Sequence, residues 1–596
     1  MAASHVSRRS SAAWAAWFIG IGVIASPLSA SESRVGSVPI KDFTLRDYHG
    51  QEHSLQEFQD AKVVVVAFLG AECPLARLYG LRLNELQKEF GESPVKFIGV
   101  NSNRQDSITE LASYARAQKI DFPLLKDPGN KVADQFRAER TPQVFVLDQA
   151  RAIRYSGAVD DQYGIGFQRK KPTKRYLAEA ITELLNDQPV ATATTPVVGC
   201  QIGRVSQTEP TGDVTYAKDI APIFNRRCLE CHRAGEIAPF PLASYDDVMG
   251  WEDMIVEVIS ENRMPPWLAN PAHGEFKNDS RLTDAEKDLI KTWVKNGSPE
   301  GDQADLPPAP EFVEGWRYRQ PDQVIHMNDK PFDVPADGVV DYEYYVVDPE
   351  WEEDKYIVAA EARPGNRAVV HHIIAYLIPP GVDPREDHDR RMLVGYAPGS
   401  PPTVVRDGLA IHVPAGSKLL FEMHYTPNGV AQSDLSYIGV TFTDREKVKN
   451  VINGHAAINH KFAIPPNAED YEVVAKYKSR EDELLLRMMP HMHLRGKAFR
   501  YEAIYPDDRR EILLDVPAYD FNWQLSYELA KPKLLPKGTR IICTAHYNNS
   551  ASNPSNPDPS AEVHWGEQSW EEMMIGFFDV VSADYEPESG KTALLQ

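Results

Sequence analysis

The stretch KVVVVAFLG, Lys62 to Gly70, constrains the fold of its surroundings more than any other. A strand with one face in water alternates apolar and polar residues, because successive side chains point to opposite sides. This run does not alternate, so both its faces need cover, as in a parallel sheet flanked by helices. The neighbouring sequence agrees. A helical pattern runs from about Leu75 to Phe90, and VKFIGVNSN reads as the next strand. QVFVLD (Gln143 to Asp148) and AIRYSGAV read as a strand pair, and KRYLAEAITELLND closes the block as a helix. Strands alternating with helices predict an α/β domain over residues 35–187.

The chain has 596 residues, too many for one core. Residues 188–213, rich in Thr, Pro and Val and without a period, read as a linker. A helical pattern over 214–302 predicts an all-α domain, and a Pro-rich segment at 303–312 reads as a second linker. From 313 onward, short strand-like runs such as HHIIAYLIPPG, KLLFEMHYTPNG and TRIICTAHYNNS are punctuated by Pro, Gly and Asn. That pattern predicts two all-β sandwiches in series, over 313–450 and 451–588.

Residues 1–30 carry Arg8 and Arg9, an apolar run from Ala12 to Ala25, and then small residues. They read as a cleaved secretory signal, with an uncleaved anchor as the alternative, and predict a periplasmic or secreted location. No later stretch is long and apolar enough for a transmembrane helix, so no stable membrane span is expected. A formal net charge of −22 argues against nucleic acid or an anionic membrane surface as a partner. The cysteines are Cys73, Cys200, Cys228, Cys231 and Cys543, too few for disulfides to be the main staple of an exported chain this long.

RCLECHRAG places Cys228, Cys231 and His232 in the spacing C-x-x-C-H. Two thiols so placed add to the haem vinyl groups, and the adjacent His supplies an axial ligand. One covalently bound c-type haem is therefore expected, with a structural zinc or a plain disulfide as the alternative. Met264, in ENRMPPWLANP just before two prolines, is the expected second axial ligand, while Met249 and Met254 read as core. The block resembles a small class I cytochrome c.

Histidines and methionines gather in the β-rich region. AVVHHIIAYLIPPG holds His371 and His372, LLFEMHYTPNG holds His424, RMMPHMHLRGK holds His491 and His493, and SWEEMMIGFF holds Met573 and Met574. Residues i and i+2 of a strand share a face, so His491 and His493 can grip one ion, and a thioether beside them biases the site toward Cu(I). The other three histidines suit a separate ion. Residues 313–584 resemble the copper type II, ascorbate-dependent monooxygenases, the peptidylglycine α-hydroxylating and dopamine β-hydroxylating enzymes. The resemblance implies two coppers, one on His371, His372 and His424 and one on His491, His493 and Met573. It also implies O2 activation at the second copper, electron storage at the first, a cleft between the sandwiches for a small-molecule substrate, and a reductant that is ascorbate-like or a protein donor. Met489 stands where the amidating enzymes have an Arg that holds a peptide carboxylate, and Ile575 and Phe577 stand where they have Asn and Tyr. An amidation substrate is therefore not implied. His546 is a reserve ligand, and His412 and His455 read as core or surface.

In the first block, FLGAECPLARLYG puts Cys73 just after the buried strand and at a helix start, where the helix dipole lowers a thiol pKa. ERTPQVFVLD places Thr141 and Pro142 before a strand, similar to the cis-proline loop of thioredoxin-like proteins. The whole block resembles the redoxin branch of that superfamily. Ala76 stands where a C-x-x-C motif has its second cysteine, and the peroxidase pattern P-x-x-x-T-x-x-C would need Pro and Thr where Val66 and Gly70 stand. Cys73 is then a one-cysteine thiol, a partner for Cys200, or a vestige.

These readings combine into an exported dicopper monooxygenase that hydroxylates a C–H bond with O2, fed with electrons through the fused haem by an electron-donor protein or a soluble reductant. Two alternatives stand beside it. One is a non-catalytic copper and haem protein for electron transfer or metal handling. The other is a thiol-dependent peroxidase or redox protein using Cys73.

Overall fold

The computed structural model describes residues 35–585 apart from 37, 207, 235, 237, 313–314, 385–390, 398–401 and 406–407. The expected signal segment, 1–30, lies outside the described residues.

The first domain is α/β. Its elements are β1 (Thr44–Asp47), β2 (Glu52–Ser54), β3 (Val63–Phe68), α1 (Pro74–Glu89), β4 (Val95–Asn101), α2 (Ile108–Ala117), β5 (Leu124–Lys126) and α3 (Lys131–Phe136). They continue with β6 (Arg140–Thr141), β7 (Gln143–Leu147), β8 (Ile153–Gly157), β9 (Tyr163–Gly164), β10 (Phe167–Gln168), α4 (Tyr176–Leu185) and, in the linker, β11 (Cys200–Gln201). The main sheet has the order β2-β1-β5-β4-β3-β7-β8, with β3, β4 and β5 parallel and the flanking strands antiparallel. The unbroken apolar run now has its explanation. Val63, Val65 and Ala67 enter the core under α1, α2 and α4, while Val64, Val66 and Phe68 enter a second core with Val132 and Phe136 of α3. Every residue of β3 is at most 1% exposed.

A helical block follows. A π-helical turn, Tyr216–Ile220, runs into α5 (Ala221–Arg227), then α6 (Tyr245–Val248), α7 (Glu252–Ser260) and α8 (Asp284–Lys295), around a core that includes Phe224, Trp251 and Trp293. The connection between α7 and α8 leaves this core. Trp267 and Ala269 sit in the core of the second β domain, and Trp267 packs edge-on against Tyr527 at 5.0 Å. Phe276 forms a β-bridge with Leu529, and the Asn270 amide donates to the Asp515 carbonyl at 2.8 Å. Helical periodicity carries no signal for such a segment, because its partners lie far along the chain.

The remainder is β-rich. In the first unit, one sheet is built on Lys355–Arg363 and Tyr437–Phe442, and the facing sheet orders Glu343–Val347, Lys418–Tyr425, Val370–Ile378 and Arg391–Tyr396. Ile357 and Val440 of one sheet meet Ile373 and Phe421 of the other in a shared core. The second unit faces Asn453–Ile458, Ile575–Ser582, Glu483–His491 and Tyr527–Leu535 against Tyr471–Lys478, Arg540–Tyr547, Gly496–Ile504 and Arg510–Val516. Leu486 and Val581 of this second unit reach into the core of the first, so the two pack directly together. No helix among the described residues is long and apolar enough to cross a membrane.

Candidate functional site

Cys73 is the N-cap of α1, with Pro74 at the first helical position, where a missing N–H costs nothing. The loop before it is held from below. The Asp106 carboxylate accepts from the Ala71 amide at 2.8 Å and from the side chains of Asn101 and Asn103. The thiol is fully buried and donates to the Thr141 carbonyl at 3.0 Å, and Thr141 precedes Pro142 across a cis bond, as the thioredoxin-like reading expects. A second thiol reaches the same point. β11 pairs antiparallel with β6, putting Cys200 opposite Thr141, and Cys200 packs against the core that holds Cys73.

Burial pushes the Cys73 thiol up. Hydrogen bonds from the Cys200 side chain and backbone, from the Ala76 backbone and from the Thr141 side chain outweigh it and bring the thiol down to about 6. The same pairing with Cys73, followed by burial, pushes Cys200 well above its ordinary value. The two thiols are coupled, and the coupling lowers Cys73 and raises Cys200. Next to it, burial and then the Asp106 and Glu110 carboxylates push Glu72 up to about 7. Gly70 has a local reason too. A Cβ there would lie 2.6 Å from Asn103 Nδ2 and 2.9 Å from Thr141 Oγ1. The hydroxyl of Thr141, buried, fills the space that a side chain at position 70 would need.

The histidines of the β-rich region assemble as two sets. His372 and His424 are register partners on neighbouring strands, and His371 Nδ1 lies 3.3 Å from His372 Nδ1 and 3.2 Å from His424 Nδ1. One ring nitrogen from each lies within 4.8 Å of the others. His491 and His493 face each other with ring centroids 5.2 Å apart. Gln524 Oε1 holds His491 Nδ1 at 2.7 Å, and the Glu571 carbonyl meets His493 Nδ1 at 3.3 Å. The buried Glu572 carboxylate accepts from the backbone amides of His493 and Arg495. Nε2 of His372 and Nε2 of His493 are buried without a hydrogen-bond partner. Met573 packs with Met489 and Phe577, while Met574 lies in the neighbouring core. Burial holds all five imidazoles below their ordinary pKa, hence neutral and able to offer lone pairs.

The space directly between the two histidine sets is filled. The buried Tyr342 ring sits 4.8 Å from His424 and 6.0 Å from His493, and Phe521 lies 5.6 Å and 6.1 Å from the same two rings. Two aromatic rings fill the space. A cavity of about 110 Å³ opens beside them, lined in part by His372, Met392, Met489 and Gln524.

In the helical block, Cys228 caps α5, and the His232 amide donates to the Cys228 carbonyl at 2.9 Å. His232 Nδ1 is 3.0 Å from the Phe240 carbonyl, and the Phe240 ring stacks on Trp251 at 3.8 Å. Burial pushes Cys228 up to about 12 and also raises Cys231. Met264 is half-buried ahead of Pro265, Met249 is core, and Met254 packs against that core. His412 meets Asp354 at 2.9 Å, His546 meets Asp470 at 3.0 Å, and His455 lies 3.8 Å from Glu483. The sequence reading missed Glu72, Tyr342, Phe521, Gln524 and Glu572. Glu72, adjacent to Cys73, and Glu572, adjacent to Met573, carried a positional signal; the others come to the sites through strand register and packing.

Comparison with known proteins bears on the first domain. The AhpC/TSA family model matches residues 37–156. A chloroplastic peroxiredoxin Q from Gentiana triflora is 29% identical over 143 residues, 23% of this chain and 61% of that protein. A putative chloroplastic peroxiredoxin Q from Oryza sativa subsp. indica is 30% identical over 121 residues, 19% of this chain and 54% of the relative. The chain thus spans between about half and six tenths of these relatives. Among solved structures, the peroxidoxin BcpB from Mycobacterium tuberculosis is 26% identical, with 21% of this chain and 84% of that one covered and a TM-score of 0.19. A hypothetical protein from Sinorhizobium meliloti is 28% identical, with 29% and 100% covered and a TM-score of 0.27. The N-terminal domain has a thioredoxin-like α/β fold, its residues 37–156 match the AhpC/TSA family model, and β-rich domains follow. This overturns the expectation of a dicopper monooxygenase: the recognisable chemistry is that of a thiol.

The geometry at Cys73 sets a pH dependence. The thiolate absorbance near 240 nm that is lost in Cys73→Ser is expected to titrate with a midpoint at about 6, and Cys200→Ser is expected to raise that midpoint. A thiol that ionises lower in the folded chain than in the unfolded one favours folding once ionised. The contribution of Cys73 therefore grows as pH rises from about 6 towards the unfolded thiol's value of about 8.5, and it is lost as pH falls back through 6. Denaturation midpoints of wild type and Cys73→Ser across that window check the sign.

Proposed function

We propose that the chain is a thiol-dependent redox enzyme in which Cys73 reduces a hydroperoxide. The observation that carries this reading is the Cys73 thiol itself, buried at the start of α1 and lowered to about 6 by its hydrogen bonds, inside the segment that matches the AhpC/TSA family. At neutral pH it is a thiolate, the reactive form. The thiolate attacks one peroxide oxygen, the O–O bond breaks, and the alcohol or water leaves with a proton. Cys73 becomes a sulfenic acid, and two electrons have passed to the peroxide. An external dithiol, a donor protein in an exported setting, restores the thiol. The Ala76 amide, at the start of α1, supports the negative charge of the sulfur.

Hydroperoxide consumption by the full chain with a dithiol reductant tests this. Cys73→Ser is expected to lower the rate by about 100-fold or more. An unchanged rate overturns the reading.

The β-rich region supports a second, metal-holding role. Three neutral imidazoles with ring nitrogens within 4.8 Å suit a copper ion, and His491, His493 and Met573 offer a further N, N, S set. The buried Nε2 of His493, without a hydrogen-bond partner, is what such a ligand leaves unpaired. In the helical block, the Phe240 carbonyl at His232 Nδ1 leaves Nε2 free for a c-type haem on Cys228 and Cys231, with Met264 as the proposed second ligand. Copper would supply one-electron redox chemistry there, and haem an electron-transfer centre. After copper loading, His372→Ala and His424→Ala are each expected to lose about one equivalent by elemental analysis. Retention of every equivalent contradicts the first set.

A further inference from the structure

We propose that Cys200, carried by the linker, is the second thiol of the Cys73 centre and closes a Cys73–Cys200 disulfide after Cys73 is oxidised. This rests on the hydroperoxide reading above and adds to it the residue that completes the cycle. The linker was expected to be without structure, yet residues 199–205 are zipped along the thiol site. Cys200 stands opposite Thr141 and Gln201 opposite Arg140. The Ile202 amide donates to the Glu139 carbonyl at 2.8 Å, and the Ile202 side chain is buried in the second core of the domain. The Arg104 amide donates to the Gly203 carbonyl at 2.8 Å, and the Val205 amide to Asn130 Oδ1 at 2.9 Å.

Position 199 shows how close the approach is. Gly199 has φ +143°, and a Cβ there would lie 2.1 Å from the Thr141 carbonyl oxygen. Only glycine lets the strand come near enough for Cys200 to face Cys73. The helical block clamps the strand from its other side. Glu257 of α7 receives Arg140 at 2.7 Å and Gln201 Nε2 at 2.7 Å, and Arg140 also donates to the Gly199 carbonyl at 2.8 Å. Cys200 packs against the cores of both domains.

The chemistry balances without a further oxidant. Cys73 reduces one hydroperoxide and becomes a sulfenic acid. The Cys200 sulfur attacks the Cys73 sulfur, the S–O bond breaks, the hydroxyl leaves as water with the Cys200 proton, and a disulfide forms. The largest cause that keeps Cys200 protonated is its hydrogen bond to Cys73, and that cause is removed once Cys73 has been oxidised. An external dithiol protein then exchanges with the disulfide and returns both thiols.

The test treats the full-length protein with one equivalent of hydrogen peroxide or of diamide, blocks free thiols and maps linked peptides by mass spectrometry. Peroxide is expected to give the Cys73–Cys200 peptide in wild type. In Cys200→Ser it is expected to leave a dimedone-reactive Cys73 whose lifetime is longer by about tenfold or more. Gly199→Ala, which keeps both thiols but displaces the strand, is expected to slow disulfide formation by about tenfold or more. A Cys73 that stays sulfenic in wild type, or that links to Cys228, Cys231 or another chain, overturns the pairing. Linkage by diamide with no reaction of Cys73 towards peroxide supports the pairing and overturns the hydroperoxide reading. Linkage by neither reagent overturns the pairing.

Discussion

The antiparallel pairing of Cys200–Gln201 with Arg140–Thr141 is the contact on which the thiol site depends. It brings a second cysteine to the fully buried Cys73 and supplies the Cys200 contributions, the largest of those that oppose burial of the thiolate. Without them, the thiol would ionise less readily and react more slowly. The same two-residue pairing is also a joint between domains. Glu257 of α7 reaches across it to Arg140 and Gln201, so the helical block rests on the back of the strand that covers the sulfur.

A second set of contacts ties the helical block to the far end of the chain. Trp267 and Phe276 pack on Tyr527, while Asn278 Nδ2 donates to the Ser526 carbonyl at 2.7 Å and borders the cavity that His372 also lines. The block is therefore in contact with both the thiol domain and the β-rich region, which also touch each other directly, as where Asn522 Nδ2 donates to the Gly166 carbonyl at 2.9 Å. The contacts are built from aromatic burial and paired side chains, which are stronger than isolated surface ion pairs.

Much of the thiol domain was legible in the sequence because its signals are local. The unbroken run of β3 demanded cover on both faces and found it on two cores. A cysteine after a strand and before a helical pattern became an N-cap, and Thr141 and Pro142 came to face it. His491 and His493, spaced i, i+2, have ring centroids 5.2 Å apart, and one ring nitrogen from each of His371, His372 and His424 lies within 4.8 Å of the others. What was not legible is long-range. Nothing in a Thr- and Pro-rich linker announces a strand, because two residues of pairing are fixed by their partner and not by propensity. Tyr342 and Phe521 carry no motif, yet they fill the space between the two histidine sets.

The claim that Cys73 acts as a peroxide-reducing thiolate is tested most directly by the single-turnover rate of its oxidation by hydrogen peroxide across pH 4 to 10 (an illustrative range of about six units around the ordinary thiol value), read by rapid quench and mass analysis. The account predicts a rate that reaches half its maximum at about pH 6 and then stays level through the range where ordinary thiols ionise. A rate that climbs only as pH passes the ordinary thiol value, or no oxidation of Cys73 at all, would contradict it.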